Sequence, residues 1–181
     1  MFSYDIFSQV CNYLNNKEKI YFAAVSVALN EYKYRLIYTD QIGAAKVYDL
    51  PFYDNFESVL INRGVIKFPK NIKTLRINCY ANCEIFTQRN LIIPSTVTHL
   101  TLYQDGELPA PNYRYNWYFV QSLKKEIPNS VTHLTFDGYF NENIKGCIPS
   151  SVTHLKFGRY FDLKSNKNDI PSSVTHIGRI F

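Results

Sequence analysis

The sequence predicts an α+β chain, a short helical head followed by parallel β-strands that stack on one another. Three observations predict it. One short stretch recurs: IPSTVTHLTLY at 93–103, IPNSVTHLTFD at 127–137, IPSSVTHLKFG at 148–158 and IPSSVTHIGRI at 170–180, with a looser copy, FPKNIKTLRIN, at 68–78. Within each copy the apolar residues end in a period-two alternation, the mark of a short strand. Residues 1–38 lack the repeat and carry apolar residues at helical spacing.

In the head, Ile6, Val10, Tyr13 and Leu14 fall on one helical face, which Phe7 and Cys11 widen. Asn15-Asn16 breaks the run. A second helix then begins at KEKIYFAAVSVALNEYKYRLIY and is apolar almost all round from Ile20 to Leu29. A surface helix needs an apolar stripe of only about 100°, and some forty residues enclose no large core. The surplus apolar surface therefore either meets a partner or docks on the open end of the strand stack as an N-terminal cap. Residues 39–67 form a connector that ends in a worn first rung, in which Phe56, Val59 and Ile61 keep the spacing of the later copies.

Residues 68–181 hold the repeats. Their prolines, Pro69, Pro94, Pro128, Pro149 and Pro171, stand 25, 34, 21 and 22 residues apart. The last two steps lie in the range of about 20–29 residues of leucine-rich repeats. The apolar pattern V-x-x-L-x-F, as in Val131, Leu134 and Phe136, or Val152, Leu155 and Phe157, matches the L-x-x-L-x-L core of such repeats. Proline cannot donate to a ladder, so it belongs in the turn before each strand. No helical periodicity links the copies, and each reads as a strand with an irregular return. One such unit cannot bury its apolar side, but a parallel stack makes a continuous core, so a leucine-rich-repeat-like β-solenoid is expected. The long step carries an insertion at 106–126. The final copy ends at Phe181 without its return, which leaves an open rung.

If Leu134 and Phe136 point inward, His133, Thr135 and Asp137 point outward, and the equivalent outward residues are Thr74, Arg76 and Asn78; His99, Thr101 and Tyr103; and His154 and Lys156. The four histidines, His99, His133, His154 and His176, hold one slot of the repeat. Neighbouring strands lie about 4.7–4.9 Å apart, so these rings form a straight row that does not converge on a metal ion, which needs nitrogens at about 2.0–2.1 Å. No metal and no cofactor is expected. The recurring His and Thr positions suit a structural ladder, while the varied Arg76, Tyr103, Asp137 and Lys156 suit target recognition, with His99, His133 and His154 beside them. In the insertion, Tyr113, Tyr115, Trp117, Tyr118 and Phe119 form either an aromatic contact patch or a lid folded over the core. Closely spaced imidazoles resist joint protonation, so stability should fall between about pH 6.5 and 5.

No P-loop, GxGxxG or HExxH is present, and the carboxylates are dispersed, so no enzyme is expected. The net charge of +5 is scattered without a basic run, which does not suggest nucleic-acid binding. Cys11, Cys79, Cys83 and Cys147 form no CxxC pair, and no His lies near Cys79 or Cys83, so idle or buried thiols are expected. No apolar run approaches the about 20 residues that span a bilayer, and no leader stands at the start. A reducing, cytoplasmic setting and a monomer are expected.

IPSSVTHLKFG resembles the FNIP repeat, a relative of the leucine-rich repeat. The stretch FDGYFNENIKGCIPSSVTHL at 136–155 is similar to that repeat end to end, including Phe140-Asn141 and Ile148-Pro149. The resemblance covers roughly residues 56–181. Residues 5–35, DIFSQVCNYLNNKEKIYFAAVSVALNEYKYR, resemble an F-box, with a short helix, a polar turn and a second helix holding Val25-Ser26, although its usual Leu-Pro start is absent. F-box heads followed by FNIP repeats occur in social amoebae and some giant viruses. The resemblance implies a substrate receptor of a cullin-RING ubiquitin ligase, in host cytoplasm if viral. Its head would bind a Skp-type adaptor and its repeats a target protein. Ile6, Val10, Leu14, Ile20, Phe22 and Val25 are then the candidates for the adaptor contact, or for the cap behind it. The alternative is an interaction solenoid with no ligase link.

Overall fold

The computed structural model describes residues 3–62, 67–79, 92–105 and 127–180. The head begins where Ser3 caps α1 (Tyr4–Cys11), its Oγ accepting from the Ile6 N–H. Asn15 and Glu18 form a capping box at the start of α2 (Asn16–Ala23). The long second helix expected from the sequence is broken there. Ser26 is extended, with φ −153° and ψ 157°, and caps α3 (Val27–Asn30), after which Glu31–Tyr34 make a 3-10 turn. A serine oxygen that satisfies a free N–H favours a new helix start over continuation, and the Val25-Ser26 step falls in this break.

The buried face of α1 is also rotated from the expected one. Phe7 and Cys11 are buried, whereas Ile6, Val10 and Tyr13 are exposed. Phe7 stacks on Phe22 at 4.9 Å between ring centroids and meets Tyr32 at 5.2 Å, so the rings pull the helix about its axis.

The rest is a seven-stranded, all-parallel sheet in chain order: β1 (Ile42–Gly43), β2 (Ser58–Ile61), β3 (Thr74–Asn78), β4 (His99–Gln104), β5 (His133–Gly138), β6 (His154–Phe157) and β7 (His176–Arg179). Parallel neighbours require each connection to return to the starting end of the next strand. A four-residue helix, α4 (Leu163–Asn166), lies in the last return. The worn rung at Phe56 is therefore not the first. β1 pairs with β2 through Ile42↔Val59, and Tyr38 bridges Phe56. The sequence at 38–43 keeps none of the repeat except an apolar side chain in two slots.

Register aligns the repeat letter by letter. Leu75, Leu100, Leu134, Leu155 and Ile177 are successive partners, and Ile77, Leu102, Phe136 and Phe157 form the next inward column. All are buried except Ile177. Phe140 and Phe161, from the returns, close the core by stacking on Phe136 at 4.6 Å and on Phe157 at 4.3 Å. The turns use proline as expected: Pro69, Pro94, Pro128, Pro149 and Pro171 each accept at their carbonyl from the N–H three residues on, at 3.0–3.3 Å. Gly138, at φ 63°, ends β5 where a Cβ would stand 2.2 Å from the Gln104 oxygen.

The helices are tied to the segment that leads into the sheet, on either side of the Tyr38 bridge. The Asn16 N–H donates to Asp40 Oδ2 at 2.6 Å and its Nδ2 to the Asp40 carbonyl at 2.9 Å. Buried Lys19 donates from Nζ to the Ile37 carbonyl at 2.9 Å. Cys11, Cys79 and Cys147 are buried thiols, and burial raises the pKa of the first two. Cys83 lies outside the described residues. Among those residues no helix is long and apolar enough to cross a membrane.

Candidate functional site

The outward strand face is organised by the Thr-His step of the repeat. Each threonine, Thr98, Thr132, Thr153 and Thr175, places Oγ1 within 2.8–2.9 Å of Nδ1 of the following histidine. The same hydroxyl reaches a carbonyl of the preceding rung at 3.2–3.4 Å. That carbonyl also accepts two backbone N–H groups, from the Thr and the His. Ser130 and Ser151 donate in parallel to Val97 and Val131 of the rung before, at 2.7 and 2.8 Å. Every polar letter of VTHL is therefore spent on the neighbouring rung or on the ring beside it.

The imidazoles stack face to face: His99 on His133 and His133 on His154 at 4.2 Å, and His154 on His176 at 4.3 Å, with planes within 15° of parallel. Among the described residues no set of three His, Cys, Asp or Glu side chains converges as metal ligands. Burial, together with His99, His154, Lys156 and His176, lowers the pKa of His133.

Three of the four varied positions, Arg76, Tyr103 and Asp137, engage one another. Arg76 Nη2 lies 2.9 Å from Asp137 Oδ2, two strands away, and the same guanidinium sits 4.3 Å over the Tyr103 ring between them. The Tyr103 hydroxyl donates to Asn62 Oδ1, and Asn78 Nδ2 donates to Asp105 Oδ1. Tyr103 and Asn78 are buried, although strand alternation turns both outward. Alternation fixes a direction and not an exposure; here a clasp across β3, β4 and β5 closes the face toward the ends of the strands. Lys156 is exposed and has no ion pair among the described residues. The face stays open at the histidine end, where His99, Thr101, His133, Thr135, His154 and Lys156 line a groove of about 170 Å³.

This face is built from the repeat that dominates the chain. The FNIP repeat family model matches residues 119–145 and 140–178. The matched residues take in β5, β6 and most of β7, and the same turn, threonine and histidine geometry is present at β4 outside the match. No curated protein and no solved structure matches the chain.

The head residues divide into two groups. Leu14, Ile20 and Phe22 are partly buried and pack against the core. Ile6 at 52%, Val10 at 39% and Val25 at 68% are exposed, and so is Val27 at 87%, which sequence reasoning did not single out. Its signal was available: it directly follows Ser26, whose oxygen opens a new helix. Tyr113, Tyr115, Trp117, Tyr118 and Phe119 lie outside the described residues.

Proposed function

We propose that the chain is a non-catalytic interaction protein whose FNIP rungs form a solenoid that binds a target, while its F-box-like head docks a Skp-type adaptor of a cullin-RING ubiquitin ligase. The observation that carries the adaptor half is the division of the head. Its inner side is tied through Asn16 and Lys19 to Asp40 and Ile37, which flank the Tyr38 bridge to Phe56, yet Ile6, Val10, Val25 and Val27 remain in solvent. Ile6 and Val10 stand one turn apart on α1, and exposed apolar side chains on an anchored head are what a partner surface would cover. The repeat match supports the target-binding half.

The test is capture of a Skp-type adaptor by the full chain and by a Val10→Asp/Val25→Asp variant. Both positions are exposed, so the fold should survive. Capture by the full chain and a loss of about tenfold or more in the variant are expected, since desolvated apolar contacts dominate interface energy. If neither captures the adaptor, the head is a cap alone. That second reading draws on the Asn16–Asp40 and Lys19–Ile37 ties, and leaves an interaction solenoid without a ligase.

A further inference from the structure

We propose that the groove along the imidazole row binds a carboxylate-rich, acidic peptide segment of the target and takes up protons as it does so. This rests on the reading of the strand face as the target-binding arm and gives that target a chemistry.

The groove has no carboxylate in its lining. Its charged residue is Lys156, which has no ion pair among the described residues, and its titratable ones are His99, His133 and His154. The surrounding charges do not offset them. At the turn before β3, Lys73 pairs with Glu57 at 2.5 Å. On β3 and β5, Arg76 and Asp137 neutralise each other. On β7, Arg179 reaches back to the carbonyls of Gly158, Arg159 and Phe161. The charge of the groove is thus Lys156 plus whatever protons the row carries, and it is never negative.

The row also has a free polar edge. Each Nδ1 is held by its threonine, and Nε2 has no partner among the described residues. The threonine has one hydroxyl proton. If that proton goes to the carbonyl, Nδ1–H donates to Oγ1 and Nε2 is a bare acceptor. If it goes to Nδ1, Nε2 carries the ring proton and can donate. Facing a carboxylate, the forms with Nε2–H are selected, either this second tautomer or the imidazolium. An anion on the row also offsets the repulsion that opposes charging His133. Ligand binding and proton uptake must then favour each other. Four rings in three steps of 4.2–4.3 Å outreach any single carboxylate, so a polyvalent segment fits better than a free ion.

The experiment is a fluorescence-anisotropy titration of the full chain with labelled octaglutamate at constant ionic strength. Affinity should rise about three- to tenfold from pH 7.5 to 6.5, the gain from taking up half to one proton per unit of pH. Lys156→Gln should weaken binding severalfold, and Lys145→Gln, in an exposed loop away from the groove, should not. His133→Asn should flatten the pH slope, and His99→Asn, at the exposed end of the row, serves if the first variant fails to fold. Binding with no pH slope, equal loss in the two lysine variants, equal competition by acetate at matched carboxylate concentration, or equal binding of an oligothymidylate would each overturn the proposal. No adaptor is present in this assay, so its failure is separate from failure of the ligase reading.

Discussion

At the scale of single residues, the repeat is a set of assignments that each tolerate little change. Gly138 combines a left-handed φ with a backbone oxygen where a Cβ would sit. Gly138→Ala should therefore cost more than about 2 kcal/mol and lower the Tm in a thermal melt, while Gly146→Ala, also at positive φ but with nothing within 4 Å of its Cβ, should cost less. His133 carries a second expectation. Its folded pKa lies below the unfolded value of about 6.5, so as pH falls through about 6.5 the unfolded chain binds the proton first. The stability that the neutral ring contributes is complete above that pH. It is lost progressively as pH drops toward the depressed folded value. Tm measured from pH 7.5 to 5.5 should fall, and less steeply in His133→Asn. A flat wild-type profile would remove the idea.

At the scale of elements, β7 differs from the strands it copies. Ile177 occupies the buried leucine column but is 53% exposed, because no further rung covers it among the described residues. In the phenylalanine column β7 has Arg179, whose guanidinium turns back to the carbonyls of the preceding return. A charge placed in a core slot blunts a bare strand edge. Arg179→Phe would extend the Phe136–Phe157 column to the surface, and light scattering should then show stronger concentration-dependent association than the native chain gives. Ser173 marks the same end. Its Oγ is buried without a partner, whereas Ser130 and Ser151 each reach the rung before. The strands were legible in the sequence because V-x-x-L-x-F leaves one reading of each inward column. β1 was not, since two residues and a bridge at Tyr38 carry no period. The broken second helix was missed for a similar reason: Ser26 acts through one local hydrogen bond, which an apolar count does not register.

At the scale of the molecule, sequence periodicity revealed which residues face outward but not which of them are free. Arg76, Tyr103 and Asp137 vary from copy to copy, as recognition residues would, yet they meet across three strands and engage one another. That meeting depends on positions 61 residues apart in the chain, a distance over which no local pattern speaks. The histidines were the reverse case. They recur, as structural residues do, and they remain the open part of the face. The carbonyl clamp explains how such a chain could have come about. Lys73, Thr98, Thr132 and Thr153 each offer one oxygen to two backbone amides and a hydroxyl of the following rung, and Thr98, Thr132 and Thr153 make the same grip on the rung before. A unit that is plug on one side and socket on the other can be duplicated or deleted whole by slippage in the gene without disturbing its neighbours. A break anywhere inside the unit would instead leave both halves unmatched. Copy number is then the variable that heredity can change most freely in this architecture, and related chains should differ by entire rungs far more often than by parts of one.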